Sequence, residues 1–335
     1  MASLIISDTH FGWNASSLHD PARVEQLMQE VCRYESDCRE AILLGDIFDF
    51  WRARPESAVK ASLPFLLRLE EAGLKIRYIV GNHDHHLVVQ KQEAEFMERA
   101  ARGDIFPVYI PALCWRQTFA GIDVEMLYPC YTKRLCRRTF LFTHGHHLDG
   151  IQTLTLQIVE RMRRLSGEEI LPSDLEMMMT YAYESIYRTA YIGEMVSFED
   201  LIWRASGLLH SMAPFSRQRP SSVQGQYDAI LQFIRDRHMD RVDCFIYGDT
   251  HRSGIFQRRG GPLAVNSGCF TREKAAGPAP WHATGTAAGQ PGNRRASRNI
   301  APGGETSETY MLLDDGCLAL RQLGRQKPLF ICELF

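Results

Sequence analysis

Five short segments carry residue types that bind metal ions: Asp8-x-His10, Asp46-x-x-Asp49, Asn82-His83-Asp84, His144-x-His146-His147 and Asp249-x-His251. Carboxylates, imidazoles and a carboxamide supply mixed oxygen and nitrogen donors. Such a set suits Mn, Fe or Zn rather than a thiolate-built structural zinc site. So many donors point to two ions sharing a bridging carboxylate, an arrangement that serves hydrolysis. Each segment also has a plainer reading. An Asp at a strand end is usually a turn cap, and clustered histidines can be a surface feature. Gly81-Asn82-His83-Asp84 is sharper, since average residue usage yields such a tetrapeptide in about one chain in a thousand. The ordered set, each member at a strand end, defines one site. His19, His210, His238 and His282 fall outside it and read as solvated or packed.

The positioning elements follow from the flanking patterns. Apolar runs precede each segment: Leu4-Ile5-Ile6, Ala41 to Leu44, Ile76 to Val80, Thr139 to Thr143 and Val242 to Tyr247. A helix begins at Asp20-Pro21, with Asp as N-cap and Val24, Leu27, Met28 and Val31 at helical spacing. A second runs from about Glu56 to Ala72 and stops at Gly73, and a third ends before Gly103. Strands alternating with helices predict a largely parallel sheet whose carboxyl ends gather the polar residues on one rim. Further strands are expected over Leu113 to Phe119 and Ile122 to Leu127, with hairpins turning at Gly260-Gly261 and Asp314-Asp315-Gly316.

From Ile151 to Phe215 the pattern is helical only, which predicts a helical cap insertion over residues 151–222 between domain segments 1–150 and 223–335. Residues 274–307, rich in Gly, Ala, Pro and Ser, predict a long disordered loop. The cap's Met177, Met178, Met179, Tyr181, Tyr183, Tyr187 and Tyr191 fit a core between its helices better than the alternative, an apolar slot for a lipid or nucleotide portion. Arg161, Arg163 and Arg164, and Lys133, Arg134, Arg137 and Arg138, read first as solvated faces and second as phosphate contacts. Arg252 is the stronger substrate-binding candidate because it follows His251 directly.

Composition bounds the function. The 335 residues are 45% hydrophobic and 23% charged, an ordinary globular balance. A net charge of −2 gives no global footprint for nucleic acid. No apolar run approaches a membrane span. Nine cysteines without a C-x-x-C pair, and no basic, apolar leader at the start of the sequence, lead us to expect reduced thiols and a cytoplasmic location.

As a set, Asp8-x-His10, Gly45-Asp46-x-x-Asp49, Gly81-Asn82-His83-Asp84, His144-Gly145-His146 and Gly248-Asp249-Thr250-His251 resemble the calcineurin-like metallophosphoesterases. Asn266-Ser267-Gly268 matches a further strand-end motif, and the resemblance covers residues 3–150 and 240–270. It implies an α/β fold, a two-sheet α/β/β/α sandwich carrying the helical cap. Ser7 to Gly12 and Gly45 to Trp51 are similar to UDP-2,3-diacylglucosamine hydrolases, which also carry a helical insertion. The resemblance implies that Asp8, His10 and His251 hold one metal, that Asn82 and His144 hold the second, and that Asp46 bridges. A hydroxide between the metals would attack phosphorus in line with the leaving group. His83 would sit near the leaving oxygen, and Asp84 would orient His83.

Two departures bear on chemistry and substrate. Asp249 stands where the family usually has a histidine. If it ligates, the second set is Asp46, Asn82, His144 and Asp249, which favours a hard ion, Mn²⁺ before Fe²⁺ or Zn²⁺. His83 stands where the lipid A hydrolases carry arginine, which weakens the specific lipid assignment. The expected function is metal-dependent hydrolysis of a phosphodiester or pyrophosphate on a phosphorylated small-molecule or lipid-linked substrate, with peripheral membrane contact through the cap as an option. The alternatives are a nuclease of the same fold and a non-catalytic interaction protein with a degenerate metal site.

Overall fold

Strand β1 is buried along its whole length at the middle of an eight-stranded sheet in a computed structural model of the protein. The structure describes residues 2–104, 112–148, 172–191, 222–239, 241–272 and 307–333. The elements are β1 (Ala2–Ile6), α1 (Pro21–Tyr34), β2 (Cys38–Leu43), α2 (Pro55–Glu71), β3 (Lys75–Ile79), α3 (His86–Ala101), β4 (Leu113–Phe119), β5 (Ile122–Tyr128), β6 (Cys130–Leu135), β7 (Arg138–Thr143), α4 (Pro172–Tyr191), α5 (Val223–Asp236), β8 (Cys244–Tyr247), β9 (Gly254–Gln257), β10 (Leu263–Asn266), β11 (Thr309–Leu313), β12 (Cys317–Gln322) and β13 (Phe330–Glu333).

One sheet runs β13-β12-β11-β1-β2-β3-β5-β4 and the other β6-β7-β8-β10-β9. Side chains alternate across each strand, and the alternation builds three apolar layers. Leu4, Ile6, Ala41 and Leu43 face Leu27 of α1 and Phe65 of α2. Ile5, Ile42 and Ile79 point the other way, into Phe140, Phe142, Ile246 and Val265 of the second sheet. That sheet's far face, Leu141, Phe245 and Ala264, packs on Tyr227, Ile230 and Phe233 of α5. The result is the expected α/β/β/α sandwich.

Parallel pairing explains the rim. Strands β1, β2, β3 and β5 are parallel neighbours, as are β7, β8 and β10. The strands that precede the five polar segments therefore end on the same edge within each sheet. Helix α1 begins as predicted: the Asp20 carboxylate accepts from Ala22 N at 3.0 Å, and Val24, Leu27, Met28 and Val31 are buried.

The sheets are mixed rather than largely parallel, because β4, β6, β9, β11, β12 and β13 pair antiparallel. Strands β6 and β13 carry no clear sequence signal. The turn from β6 to β7 places Cys136 and Arg137 in left-handed backbone, φ 49° and 62°, without the glycine or asparagine that would announce it. Residues 274–306 of the expected loop, and Arg161, Arg163 and Arg164, lie outside the described residues. Among the described residues no helix is long and apolar enough to cross a membrane.

Candidate metal centre

The loops after β1, β2, β3, β7 and β8 bring seven candidate ligands together. Five of them, Asp8, His10, Asp46, Asp249 and His251, have left-handed backbone, φ between 48° and 69°. Such conformations cost on the order of 1 kcal/mol each for residues with a side chain. Here each turns the chain sharply back over a strand end. The flanking glycines make room: Gly45, at φ 86°, sits where an added Cβ would lie 2.7 Å from the His144 ring, and a Cβ on Gly248 would collide with Ser7 Oγ and Asp8 Oδ2.

The first group is Asp8, His10 and His251. His10 Nε2 and His251 Nε2 lie 3.0 Å apart. Asp8 Oδ2 accepts from Ser7 Oγ and from Asp249 N, the latter at 3.0 Å. Asp8 Oδ1 is buried without a well-directed hydrogen bond, 3.3 Å from His251 Nε2 and 3.9 Å from His10 Nε2. A buried carboxylate oxygen aimed between two imidazole nitrogens fits a cation.

The second group surrounds His144 Nε2. Asn82 Oδ1 lies 3.0 Å away, Asp46 Oδ2 3.3 Å and Asp249 Oδ1 3.5 Å. The other ring nitrogen, Nδ1, donates to Leu44 O at 2.6 Å, which assigns Nε2 as the ligating atom. Asp46 Oδ2 is also 3.8 Å from His10 Nε2, so this one oxygen lies between the two groups. Its partner, Asp46 Oδ1, accepts from His83 N at 2.9 Å.

The electrostatics follow. Burial alone would raise Asp46, but the His144 and His83 imidazoles beside it hold its carboxyl well below the usual range. Burial alone would lower His144; Asp46, Asp8 and Asp249 together raise it well above its ordinary value. Burial lowers His10, which leaves it as the neutral imidazole that ligates metals.

A protein-family model described as calcineurin-like phosphoesterase matches residues 1–253. The chain belongs to that family. Its members generally use two divalent metal ions, and among the described residues Asp8, His10 and His251, and Asp8, Asp46 and His144, are clustered closely enough to hold metal. Among curated proteins none matches this sequence. Two solved structures were found similar to this chain. A dimetal phosphatase from Danio rerio has 13% identity and a TM-score of 0.43, covering 100% of this chain and 99% of its own. A predicted phosphoesterase from Streptococcus pneumoniae TIGR4 has 11% identity and a TM-score of 0.31, covering 99% and 97%.

Within this phosphoesterase, one sequence-based role needs correction. Asp84 does not orient His83. It is fully buried, and accepts from Gly81 N at 2.6 Å, from Ile47 N at 2.9 Å and from Tyr78 OH. The tight turn after β3 points adjacent side chains in different directions, so Asp84 ties the loop to the sheet. The carboxylate on His83 is Asp49, a residue to which its spacing alone assigns no role. Its Oδ1 is 3.1 Å from His83 Nδ1, and its Oδ2 is 3.2 Å from His10 Nδ1 and 2.6 Å from Arg52 Nη1. The signal available was the third position after Asp46 in the same strand-end segment.

His83 is further fixed by Trp51, stacked on it at 3.9 Å with 27° between the rings. Burial would lower His83, but the Asp46 and Asp49 carboxylates outweigh it and raise it to about 9 in the metal-free protein. Arg252 is exposed on the loop just after His251. Lys133, read as a second-choice phosphate contact, is instead bonded to Ser3 and Glu40. Asn266 Nδ2 donates to Gly248 O at 2.7 Å and to Thr250 Oγ1 at 3.0 Å, and so clamps the loop that carries Asp249 and His251.

Helix α4 meets this site from above the α3 start. Thr180 Oγ1 is 2.9 Å from His85 Nε2, and Glu184 Oε2 is 2.9 Å from His86 Nδ1. Tyr187 stacks on His86, and Tyr183 lies against Trp51 and His85. Tyr181, by contrast, is 67% exposed.

Proposed function

We propose that this phosphoesterase hydrolyses a phosphodiester or pyrophosphate at a dinuclear centre, with Mn²⁺ the preferred ion. Asp8, His10 and His251 would hold one ion, Asn82, His144 and Asp249 the other, and Asp46 both. When bound, such cations lower the pKa of water and offset charge on the phosphoryl oxygens. The observation that carries the reading is the convergence of Asp46 Oδ2 on both His10 Nε2 and His144 Nε2, at 3.8 and 3.3 Å.

The chain's own residues supply orientation and a proton. Leu44 O fixes His144, and Asp49 fixes both His10 and His83. With Nδ1 of His83 donating to Asp49, its Nε2 carries the second proton and faces Asp46 Oδ2, 3.9 Å away. His83 Nε2 would give that proton to the leaving oxygen. The stacked Trp51 keeps the ring in this plane. Contacts from Tyr183, Thr180 and Glu184 support reading α4 as part of a cover over the site, where the substrate's small-molecule or lipid-linked portion would be selected; the rest of the expected cap lies outside the described residues.

The test is hydrolysis of bis(p-nitrophenyl) phosphate and p-nitrophenyl phosphate with added Mn²⁺, Mg²⁺, Zn²⁺ or EDTA. Diester cleavage that needs metal and stops with EDTA supports the reading. No cleavage of either compound with any metal contradicts it.

A further inference from the structure

Helix α4 meets the site along one face. Thr180, Tyr183, Glu184 and Tyr187 stand at i, i+3, i+4 and i+7, a spacing that lines side chains up on one side of a helix. Thr180 and Glu184 are buried there, whereas Tyr181 is exposed. The polar partners of this face are His85 and His86, which follow Asn82, His83 and Asp84 directly and start α3.

The contact is polar where helix contacts are usually apolar. His85 Nε2 and Thr180 Oγ1 lie 2.9 Å apart, as do His86 Nδ1 and Glu184 Oε2. The other Glu184 oxygen accepts from Arg188 Nε at 2.7 Å, which fixes the carboxylate. Gln90 Nε2 lies 3.0 Å from His86 Nε2 and fixes the imidazole from its other side. Buried hydrogen bonds replace bonds to water and so add little net stability, but they set direction and distance as apolar contacts do not. This contact is therefore built for placement more than for strength.

Two routes lead from α4 to His83. One is the backbone. Leu87 N donates to Asp84 O at 3.0 Å and Phe50 N to His83 O at 3.3 Å, which ties the start of α3 to the turn carrying Asn82 and His83. The other is a series of rings: Tyr183 lies 6.2 Å from Trp51, and Trp51 lies 3.9 Å from His83.

We infer that Thr180 and Glu184 are positioning residues for turnover: by docking α4 on His85 and His86 they set the turn that carries Asn82 and His83, so this helix serves the chemical step as well as substrate selection. The inference rests on the phosphoesterase reading above.

A small diester separates the two roles, because bis(p-nitrophenyl) phosphate offers no large portion for a cover to select. Thr180→Val keeps the side-chain shape without the hydroxyl, and Glu184→Gln keeps size without charge. Thr180→Ser restores the hydroxyl, and Tyr181→Ala alters the exposed face of the same helix. Each full-length variant is assayed at saturating Mn²⁺, with fold checked by circular dichroism. Displacing a reacting group by about 1 Å costs on the order of 100-fold in rate, so we expect kcat to fall about 10- to 100-fold in Thr180→Val and Glu184→Gln, with KM nearly constant. Thr180→Ser and Tyr181→Ala should turn over like wild type. Unchanged kcat in both Thr180→Val and Glu184→Gln, or a change confined to KM, would overturn the inference and leave the phosphoesterase reading standing. So would an equal loss in Thr180→Ser or Tyr181→Ala, or unfolding of both Thr180→Val and Glu184→Gln, since α4 would then be a structural support only. No cleavage by wild type with any metal would overturn the phosphoesterase reading and this inference with it.

Discussion

The Asp49 carboxylate lies 3.1 Å from Nδ1 of His83, and the same side chain reaches Nδ1 of His10 at 3.2 Å. One buried group thus orients both a candidate metal ligand and the candidate proton donor. Burial would raise its pKa, but the two histidines hold it well below the usual carboxylate range. Asp49→Asn keeps the shape and loses the charge that selects these tautomers. We expect kcat to fall about 10- to 100-fold, with metal affinity weakened in the same variant. Steady-state kinetics together with a metal titration check it. A normal metal affinity with only KM altered would contradict the shared role.

Asp84 should behave differently. Asp84→Ala strips acceptors from two buried backbone amides and the Tyr78 hydroxyl. Each such loss costs about 1–3 kcal/mol, so the expected result is a drop in unfolding free energy on the order of 3 kcal/mol. Urea denaturation measures this directly. An Asp84→Ala protein of wild-type stability would mean that the loop does not depend on these bonds.

Gly45→Ala offers a steric test of how the second group is held. The new Cβ would meet the His144 ring at 2.7 Å, on a backbone with φ 86° that favours glycine. We predict loss of about one metal equivalent per chain relative to wild type, measured after reloading the stripped protein. Full retention would show that His144 can shift and still ligate.

Stability should also decline in acid through buried histidines behind the site. Burial drives His85 down to about 3 from an ordinary 6.5, and moves His146 and His147 in the same direction. An unfolded His85 takes up its proton near pH 6.5, whereas the folded one resists until about pH 3. The unfolded state therefore binds more protons in that window, and stability falls as pH drops through it. Each such group contributes about 1.4 kcal/mol per pH unit. His85→Gln should flatten the decline by about one proton's worth, seen in chemical denaturation at pH 7 and pH 5. An unchanged slope would contradict it.

Much of this could be read from the sequence because the ligands follow strands, and a buried strand that ends in Gly-Asp or Gly-Asn-His-Asp marks both the element and the site. Asp20-Pro21 likewise announced α1, since its cap is local. The errors share a physical cause: they depend on direction rather than proximity along the chain. Asp84 adjoins His83 in sequence yet points to Gly81, Ile47 and Tyr78, while Asp49 reaches His83 from another strand. Strand β6, with alternating part-exposed residues and a turn at Cys136-Arg137, depends on pairing with β7 that no local signal gives. The contacts of His85 and His86 with α4 are long-range and were equally hidden.

The most direct measurement is turnover of bis(p-nitrophenyl) phosphate by Asp46→Ala and His83→Ala at saturating Mn²⁺, with fold verified by circular dichroism and thermal melting. Asp46 Oδ2 lies between the two ligand groups, and His83 Nε2 faces it. Both folded variants should lose turnover, Asp46→Ala together with metal binding and His83→Ala without it. Wild-type turnover in both folded variants would contradict a dinuclear phosphoesterase centre at this rim.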